Sequence, residues 1–246
     1  MKLMSLLFEE LDYQSTPLGE IVLRRRADPR LQGLIIYEVL LGEEFLMSSL
    51  FTEAEIELAS LALQGLPKDS VDVVVGGLGL GYTAAAALQE PALKSLKVIE
   101  VREAVIKWHK QEMVPVGEIL NRDSRCELVH ADFFARAMAD SESFDESGER
   151  VHAVLLDIDH SPTHWLNSQN QTFYSKAGLQ AMTRKIHPGG VFGLWSNDPP
   201  DSEFTNLLES IFERVEHQVV SFANPYTEGK SSNTVYLAQK KPEDSE

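Results

Sequence analysis

Residues 71–88 of the chain read VDVVVGGLGLGYTAAAAL. The run Val71–Val75 is apolar except for one aspartate, and this predicts a strand that is buried on both faces of a sheet. A glycine-rich loop follows at once, and a helix is predicted directly after it. Gly77, Gly79 and Gly81 let the backbone turn tightly and come close to a ligand, because glycine has no Cβ. The stretch therefore predicts a Rossmann-like ligand site at the loop, and the alternative is a tight turn without a ligand.

Strands and helices go on alternating along the rest of the chain. Further strands are predicted at Lys97–Val101, Cys126–His130, Val151–Leu156 and Val191–Trp195. Helices are predicted at Thr83–Gln89, Arg102–Met113, around Phe134–Ala139 and at Gln171–Ile186. Such alternation is typical of an α/β fold with a doubly wound, mostly parallel sheet that has helices on both faces. The last two apolar runs, Glu216–Phe222 and Thr234–Gln239, predict an antiparallel hairpin at the edge of that sheet.

The chain before this sheet has a different pattern. Short apolar runs at Ile21–Leu23 and Leu34–Leu41 are bounded by glycines, which predicts strands joined by turns. We therefore divide the chain into a small N-terminal β-rich region with a connecting helix, residues 1–66, and a Rossmann-like domain, residues 67–246.

Two short motifs in the N-terminal region have local interpretations. Thr52-Glu53-Ala54-Glu55 predicts a capping box, in which a Thr hydroxyl and a Glu carboxylate each bind a free amide of the first helical turn. The only basic run, Arg24–Arg26, is interpreted as the solvated end of a strand rather than as an anion site, because nothing near it supplies a second anion contact.

The composition excludes several classes of function. Asp and Glu total 38 against 22 Lys and Arg, a formal charge of −16, which repels nucleic acids and anionic lipids and favours a cationic ligand. No apolar run approaches the roughly 20 residues of a membrane span, and Met1–Phe8 is too short for a signal peptide. Cys126 is the only cysteine, which excludes an intrachain disulfide and a Cys-rich metal site. We expect a cytoplasmic protein.

Ligands of open α/β sheets bind beyond the carboxyl ends of the strands, so the residues that end each strand are the candidates for the site. Glu100 ends the second strand, and a carboxylate there can accept both hydroxyls of a ribose. Asp132 follows the third strand and has two interpretations: an acceptor for an adenine amino group, or the N-cap of the next helix.

The fourth strand ends in Asp157-Ile158-Asp159-His160, which brings two carboxylates and an imidazole to the same edge. Asp157 directly follows the buried run, so desolvation and a neighbouring carboxylate are expected to raise its pKa. His160 and His164 match no recognised metal-ligand spacing, and we predict no metal. The tetrapeptide Asn197–Pro200 resembles one found in amino-group methyltransferases, but it follows the fifth strand. A turn and a helix start, capped by Asp201 or Ser202, is the preferred interpretation.

Taken together, these residues resemble the spermidine synthase-like branch of the class I S-adenosylmethionine-dependent transferase (methyltransferase) superfamily. The resemblance covers most of the chain: Glu53, Gly76–Gly81, Glu100, Asp132, Asp157, Phe173-Tyr174, Pro188–Gly190 and Asn233–Ala238. It implies that the glycines lie under the amino-acid or propylamine arm of a nucleoside sulfonium, with Glu100 on the ribose and Asp132 at the adenine. The position of Asp157 implies the acid that holds and deprotonates the attacking amine.

The chain departs from the family pattern on the acceptor side. Aminopropyltransferases carry an Asp in the glycine loop, where this chain has Leu78-Gly79-Leu80, and a Tyr-His-Glu stretch where it has Phe51-Thr52-Glu53. Asp159 stands in place of their second acid. Three hypotheses follow: aminopropyl transfer from decarboxylated S-adenosylmethionine to an amine, methyl transfer from S-adenosylmethionine, and nucleoside binding without catalysis. The expected partners are a small, cationic amine and a second copy in a homodimer, with neither nucleic acid nor membrane.

Overall fold

The computed structural model describes residues 7–67, 69–146, 148–227 and 229–242. The first six residues of the segment considered as a leader, Met1–Phe8, lie outside this range. The N-terminal region forms a four-stranded antiparallel sheet in chain order: β1 (Phe8–Thr16), β2 (Gly19–Asp28), β3 (Leu34–Leu41) and β4 (Glu44–Ser48). The β-rich start of the chain is therefore confirmed.

The second sheet has seven strands: β5 (Val71–Gly76), β6 (Leu93–Glu100), β7 (Cys126–His130), β8 (Val151–Leu156), β9 (Ile186–Ser196), β10 (Arg214–Asn224) and β11 (Gly229–Gln239). Their order across the sheet is β10-β11-β9-β8-β5-β6-β7. All neighbours are parallel except β11, which runs antiparallel to both β9 and β10. This confirms the α/β class, the mostly parallel sheet and the antiparallel hairpin at one edge.

Seven helices belong to the described residues: α1 (Glu53–Gln64), α2 (Tyr82–Ala87), α3 (Glu103–Lys110), α4 (Gly117–Arg122), α5 (Phe133–Met138), α6 (Lys176–Thr183) and α7 (Ser202–Glu209). None of them has the length and apolar character needed to cross a bilayer. Asp201 caps α7 by accepting the amides of Glu203 and Phe204, as the turn interpretation of this segment requires. The short helix α4 was not predicted.

The long helix predicted at Gln171–Ile186 is wrong at both ends. Ser168–Thr172 is a 3₁₀ helix, and α6 starts only after Ser175, whose hydroxyl accepts the amide of Gly178. At the other end Ile186 pairs with Val151, so this residue already belongs to β9. Pairing with a neighbouring strand decides the boundary, and helical periodicity in the sequence does not show it.

Helix α1 packs against the second sheet, and its first turn lacks the predicted capping box. The Thr52 side chain makes no capping bond, and Glu53 Oε2 instead accepts the Thr52 amide at 3.0 Å, so the capping box is wrong. The helix buries Ala54, Leu58 and Ala59 in the core beneath β9. A Cβ on Gly193 would lie 2.8 Å from Leu58 Cδ1, so the absence of a side chain at Gly193 allows this close approach.

A buried ionic network joins the N-terminal sheet to the tip of the hairpin. Glu38 accepts hydrogen bonds from Arg24 and Arg26, each 2.7 Å long, and Arg26 also binds Asp28. The Tyr226 hydroxyl donates to Asp28 Oδ2 at 2.8 Å and accepts from Arg26 Nη2 at 2.9 Å. The interpretation of the arginine run as a solvated strand end is therefore wrong for Arg24 and Arg26, because partner strands supply acids for them. The network therefore links the N-terminal sheet to the second sheet.

Candidate functional site

A cavity of about 490 Å³ lies beyond the carboxyl ends of β8 and β9. Its wall is formed by β4 and the turn after it, by α1, by the loop after β8, and by both strands of the β10–β11 hairpin. This volume is within the usual range of about 300–1,000 Å³ for small-molecule sites. Parallel strands end at one edge of a sheet, and the N-terminal sheet covers that edge here.

Asp157 lies in the wall of this cavity, where β8 ends. Its amide donates to the Gly76 carbonyl at 2.8 Å, and its Oδ2 accepts from the Thr83 hydroxyl at 2.7 Å. Burial raises the pKa of Asp157 to about 6, although the Thr83 hydrogen bond acts in the opposite direction. The carboxylate is thus charged at neutral pH and yet is basic enough to take up a proton.

Glu55 lies in the same cavity, and the sequence analysis missed it. Burial, and after it the negative charge of Asp157, raise the pKa of Glu55 to about 8. The resemblance indicated Glu53 on this helix, but Glu53 is exposed. A signal was available, because residue 55 shares the buried helical face of Leu58 and Ala59, which follow it by three and four residues.

The raised pKa of Glu55 predicts a dependence of stability on pH. Because its folded-state pKa lies above the unfolded value, its contribution to stability is present below about pH 4.5 and is lost as pH rises through about 8. Glu55→Gln removes the buried charge. The variant should therefore gain free energy of unfolding relative to the wild type, by about 3 kcal/mol, when the pH rises from about 5 to about 8. Urea unfolding at both pH values measures this, and a difference that does not change with pH contradicts it.

Aromatic and amide side chains complete the cavity wall. Phe51 packs on Phe222 across the cavity, with ring centroids 5.4 Å apart. The side chain of Asn233 donates to Asn197 Oδ1 at 3.1 Å. The indole Nε1 of Trp195 is buried and has no hydrogen-bond partner among the described residues. A cavity with aromatic rings, acids and amides in its wall suits an organic ligand that carries a cationic or polar end.

His160 also lines the cavity, with Nε2 3.2 Å from Glu44 Oε1. Its ring centroid lies 5.7 Å from that of His164. Within the described part of the chain, no three His, Cys, Asp or Glu side chains are grouped so that they could hold a metal ion.

Asp159 lies outside the cavity wall and holds the loop that follows β8. It is 1% exposed, and its carboxylate accepts hydrogen bonds from the Leu166 amide, the Asn170 side chain and the Tyr174 hydroxyl, all between 2.8 and 3.1 Å. These contacts fix the course of the chain next to Asp157. The predicted catalytic role of Asp159 stays a prediction.

The three glycines of the loop after β5 all have positive φ, but their surroundings differ. A Cβ on Gly77 would overlap the carbonyl oxygen of Asp157, and one on Gly81 would lie 2.6 Å from the His109 ring. Packing within the protein therefore requires these two glycines. A Cβ on Gly79 would meet only the end of the Met47 side chain, at 2.6 Å from Cε. Gly79 therefore faces a flexible side chain rather than fixed backbone, and its predicted contact with a ligand stays a prediction.

Met47 and His109 hold the loop from opposite sides. The Met47 sulfur accepts the Leu80 amide at 3.3 Å, and His109 Nε2 lies 2.9 Å from the Gly79 carbonyl oxygen. A carbonyl can only accept, so Nε2 carries the hydrogen. Burial lowers the pKa of His109 to about 4, which keeps the ring neutral. Its Nδ1 is buried, and no residue that the structure describes makes a hydrogen bond with it.

Glu100 and Asp132 lie at neighbouring strand ends, outside the cavity wall. Glu100 accepts the Leu78 amide at 3.1 Å and the Arg102 amide at 2.8 Å, and burial raises its pKa. Glu100 thus contacts the glycine loop, and its role on a ribose stays a prediction. Asp132 is exposed and caps α5 by accepting the Ala135 amide, so the N-cap alternative describes its contact here.

We expect Glu100→Gln to weaken nucleoside binding. Glutamine replaces one carboxylate oxygen with an amino group, and that group would face a backbone donor. The substitution also removes a charge-assisted acceptor for the ribose. The expected loss of affinity is about 1–3 kcal/mol, measured by calorimetry with methylthioadenosine. Glu103→Gln is the control, since Glu103 is exposed at the start of α3. Unchanged affinity in the Glu100 variant would contradict the ribose assignment.

The chain was compared with known proteins. No protein-family model matches it. A spermidine synthase crystallised with the transition-state analogue AdoDATO is 16% identical, with a TM-score of 0.72 over 94% of this chain and 73% of the synthase. Spermidine synthase from Thermotoga maritima is 16% identical, with a TM-score of 0.69 over 94% and 72% of the two chains.

A third solved structure widens the comparison to methyl transfer. Human methyltransferase-like protein 13 in complex with SAH is 18% identical, with a TM-score of 0.53 over 78% of this chain and 80% of that one. At these identities the likeness establishes the fold. The chain has the class I methyltransferase fold, in the form with an N-terminal β region that resembles the spermidine synthases.

Proposed function

We propose that this chain is a transferase that moves an aminopropyl group from decarboxylated S-adenosylmethionine to an amine acceptor. The observation that carries the proposal is Asp157, a carboxylate with a raised pKa in the wall of a 490 Å³ cavity next to the glycine loop. The fold supports it, because two structures of this shape are spermidine synthases, one of them with bound AdoDATO.

In the proposed reaction, the chain aligns the reactants and removes one proton. The donor supplies an electrophilic carbon on a sulfonium group. Asp157 takes a proton from the acceptor ammonium, and the freed nitrogen lone pair forms the new C–N bond. The C–S bond breaks, and its electron pair stays on the sulfur. General-base help of this kind is worth about 10²–10⁴ in rate. The glycine loop and Glu100 hold the nucleoside in line with the amine.

Methyl transfer from intact S-adenosylmethionine is the second candidate, and the glycine loop favours it. Leu78 and Leu80 are 4% and 2% exposed and belong to the core. The loop therefore offers no carboxylate for the ammonium of a propylamine arm. Intact S-adenosylmethionine keeps a carboxylate, and a loop without an acid does not repel that carboxylate.

A panel of donors and acceptors tests the two candidates together. Labelled S-adenosylmethionine and its decarboxylated form are each incubated with diamines, monoamines and amino acids, and the labelled products are identified. Aminopropyl transfer confirms the first candidate, and with a diamine acceptor it would produce a polyamine. Methyl transfer favours the second. Tight binding of both donors without any product points to a protein that binds nucleosides without catalysis.

We also propose that the chain forms a homodimer. Phe8, Leu34 and Ile35 are 47–52% exposed, and strand pairing brings them to the same end of the N-terminal sheet. A second copy would remove this apolar group from water. Sedimentation equilibrium measures the oligomeric state, and a monomer at every concentration contradicts the proposal.

A further inference from the structure

The two carboxylates of the cavity lie at its inner end. Among the described residues in the wall, Glu55 and Asp157 are the only acids. They lie close enough for the charge of Asp157 to hinder the ionisation of Glu55. Glu55 comes from α1 and Asp157 from the end of β8, and the rigid elements that carry them share one core. The inner end of the cavity is therefore built to receive positive charge.

The outer end of the cavity has the opposite character. Leu156 pairs with Leu194, and Leu194 pairs with Tyr236, so Asp157 lies at the level of Val235 on β11. Lys230 precedes Val235 by five residues on the same strand, which places its backbone about 17 Å further out. Lys230 is exposed at this rim, and the residues next to it in the wall are Ser231 and Ser232. Among the described residues of the cavity wall, this end holds a cation and hydroxyl groups, and no acid.

Aromatic rings line the cavity along its length. Trp195 pairs with Val235, at the level of Asp157, and Phe222 pairs with Ser231, next to Lys230. Phe51 packs on Phe222. Rings of this kind bury a hydrocarbon chain well and offer few hydrogen bonds to a second charged group.

We propose that the acceptor is an amine with a single ammonium group, bound between Glu55 and Asp157, whose hydrocarbon chain ends in a carboxylate directed toward Lys230. The proposal rests on the proposed function and names its substrate class. A diamine of the same length would place its second cation beside Lys230, where the described part of the cavity wall offers no acid to compensate it. Glu55 is then a residue that determines acceptor specificity, and Asp157 remains the base.

Three compounds of matched length test the polarity of the cavity: 6-aminohexanoate, hexylamine and 1,6-diaminohexane. They differ only in the outer group, which is a carboxylate, a methyl group or an ammonium. Calorimetry near neutral pH measures their binding to the whole chain. We expect 6-aminohexanoate to bind most tightly and 1,6-diaminohexane to bind about tenfold more weakly than 6-aminohexanoate.

Two variants test the residues at the two ends. Glu55→Gln is expected to weaken 6-aminohexanoate and hexylamine alike, by about 30-fold, because a bound ammonium favours the charged form of Glu55 and glutamine has no such form. Lys230→Gln is expected to weaken 6-aminohexanoate by about threefold and to leave hexylamine unchanged, since the lysine is exposed. Glu57→Gln is the matched control: it makes the same change on the same helix, outside the cavity wall.

Three results would overturn the inference: 1,6-diaminohexane binding most tightly, Glu55→Gln binding like the wild type, or none of the compounds binding. These measurements need no group transfer, so they can be separated from the proposed function. Binding of 6-aminohexanoate without transfer from either donor would refute the proposed function alone. Turnover with a diamine as the best acceptor would refute the inference alone.

Discussion

Asp157→Asn is expected to lower the rate of transfer to an accepted amine by about 10²–10⁴-fold while donor affinity changes little. Asparagine keeps the shape of the side chain and can still accept the Thr83 hydrogen bond, but it cannot take up a proton. Burial raises the pKa of Asp157 to about 6, so its ionised form costs stability above that pH. The variant should therefore be at least as stable as the wild type at neutral pH.

The measurement separates kcat from donor binding. Single-turnover rates give the chemical step, and calorimetry with methylthioadenosine gives the nucleoside affinity. Asp159→Asn is the comparison, because Asp159 holds the loop through three hydrogen-bonding partners. We expect that variant to lose thermal stability rather than to show a specific loss of the chemical step. If Asp157→Asn keeps a near-normal kcat, Asp157 is not the base, and Asp159 and His160 become the candidates.

Gly77→Ala is expected to lower the free energy of unfolding by about 3 kcal/mol or more, or to prevent folding. Gly77 has φ +94°, a region that L residues rarely adopt. The added Cβ would overlap the Asp157 carbonyl oxygen and would lie 2.9 Å from Ile158 Cγ1. The overlapping atom is backbone in the loop after β8 and cannot turn away as a side chain could. The substitution must move either the glycine loop or Asp157 itself.

Gly33→Ala is the control that measures backbone strain without the overlap expected in Gly77→Ala. Gly33 has φ +80°, and a Cβ there would meet nothing within 4 Å. It should therefore cost only the strain of a positive φ, about 1–2 kcal/mol. Urea unfolding of both variants measures the difference. Equal losses of stability would show that the close contact between Gly77 and the end of β8 does not hold in solution.

The architecture of the second sheet could be predicted because its causes are local. Each buried strand is a short apolar run, and each helix follows directly in the sequence, as in Val71–Val75 and the alanines after Gly81. The glycine loop and the acids at the strand ends followed from the same pattern. The end of the helix before β9 could not be predicted, since Ile186 becomes a strand residue only by pairing with Val151.

The roles of individual site residues depended on contacts that the sequence does not contain. The three glycines look equivalent in the sequence, but only Gly79 faces a flexible side chain, and that side chain comes from β4. Asp157 and Asp159 are two residues apart, yet one lies in the cavity wall and the other holds a loop. The irregular backbone after β8 determines where each of these two side chains lies. No periodic pattern in the sequence describes that backbone.

The sequence by itself determined the fold class, the mostly parallel sheet with its antiparallel hairpin, the glycine loop and the place of Asp157 at a strand end. These depend on hydrophobic periodicity and on the conformational freedom of glycine, which act between residues that are close in the chain. Only the tertiary structure decided that Glu55 joins Asp157 and that Lys230 stands at the other end of the same cavity. These residues come from a helix, a loop and a hairpin far apart in the sequence. Their proximity is fixed by the packing of two sheets, and so are the desolvation and mutual repulsion that raise the pKa of Glu55.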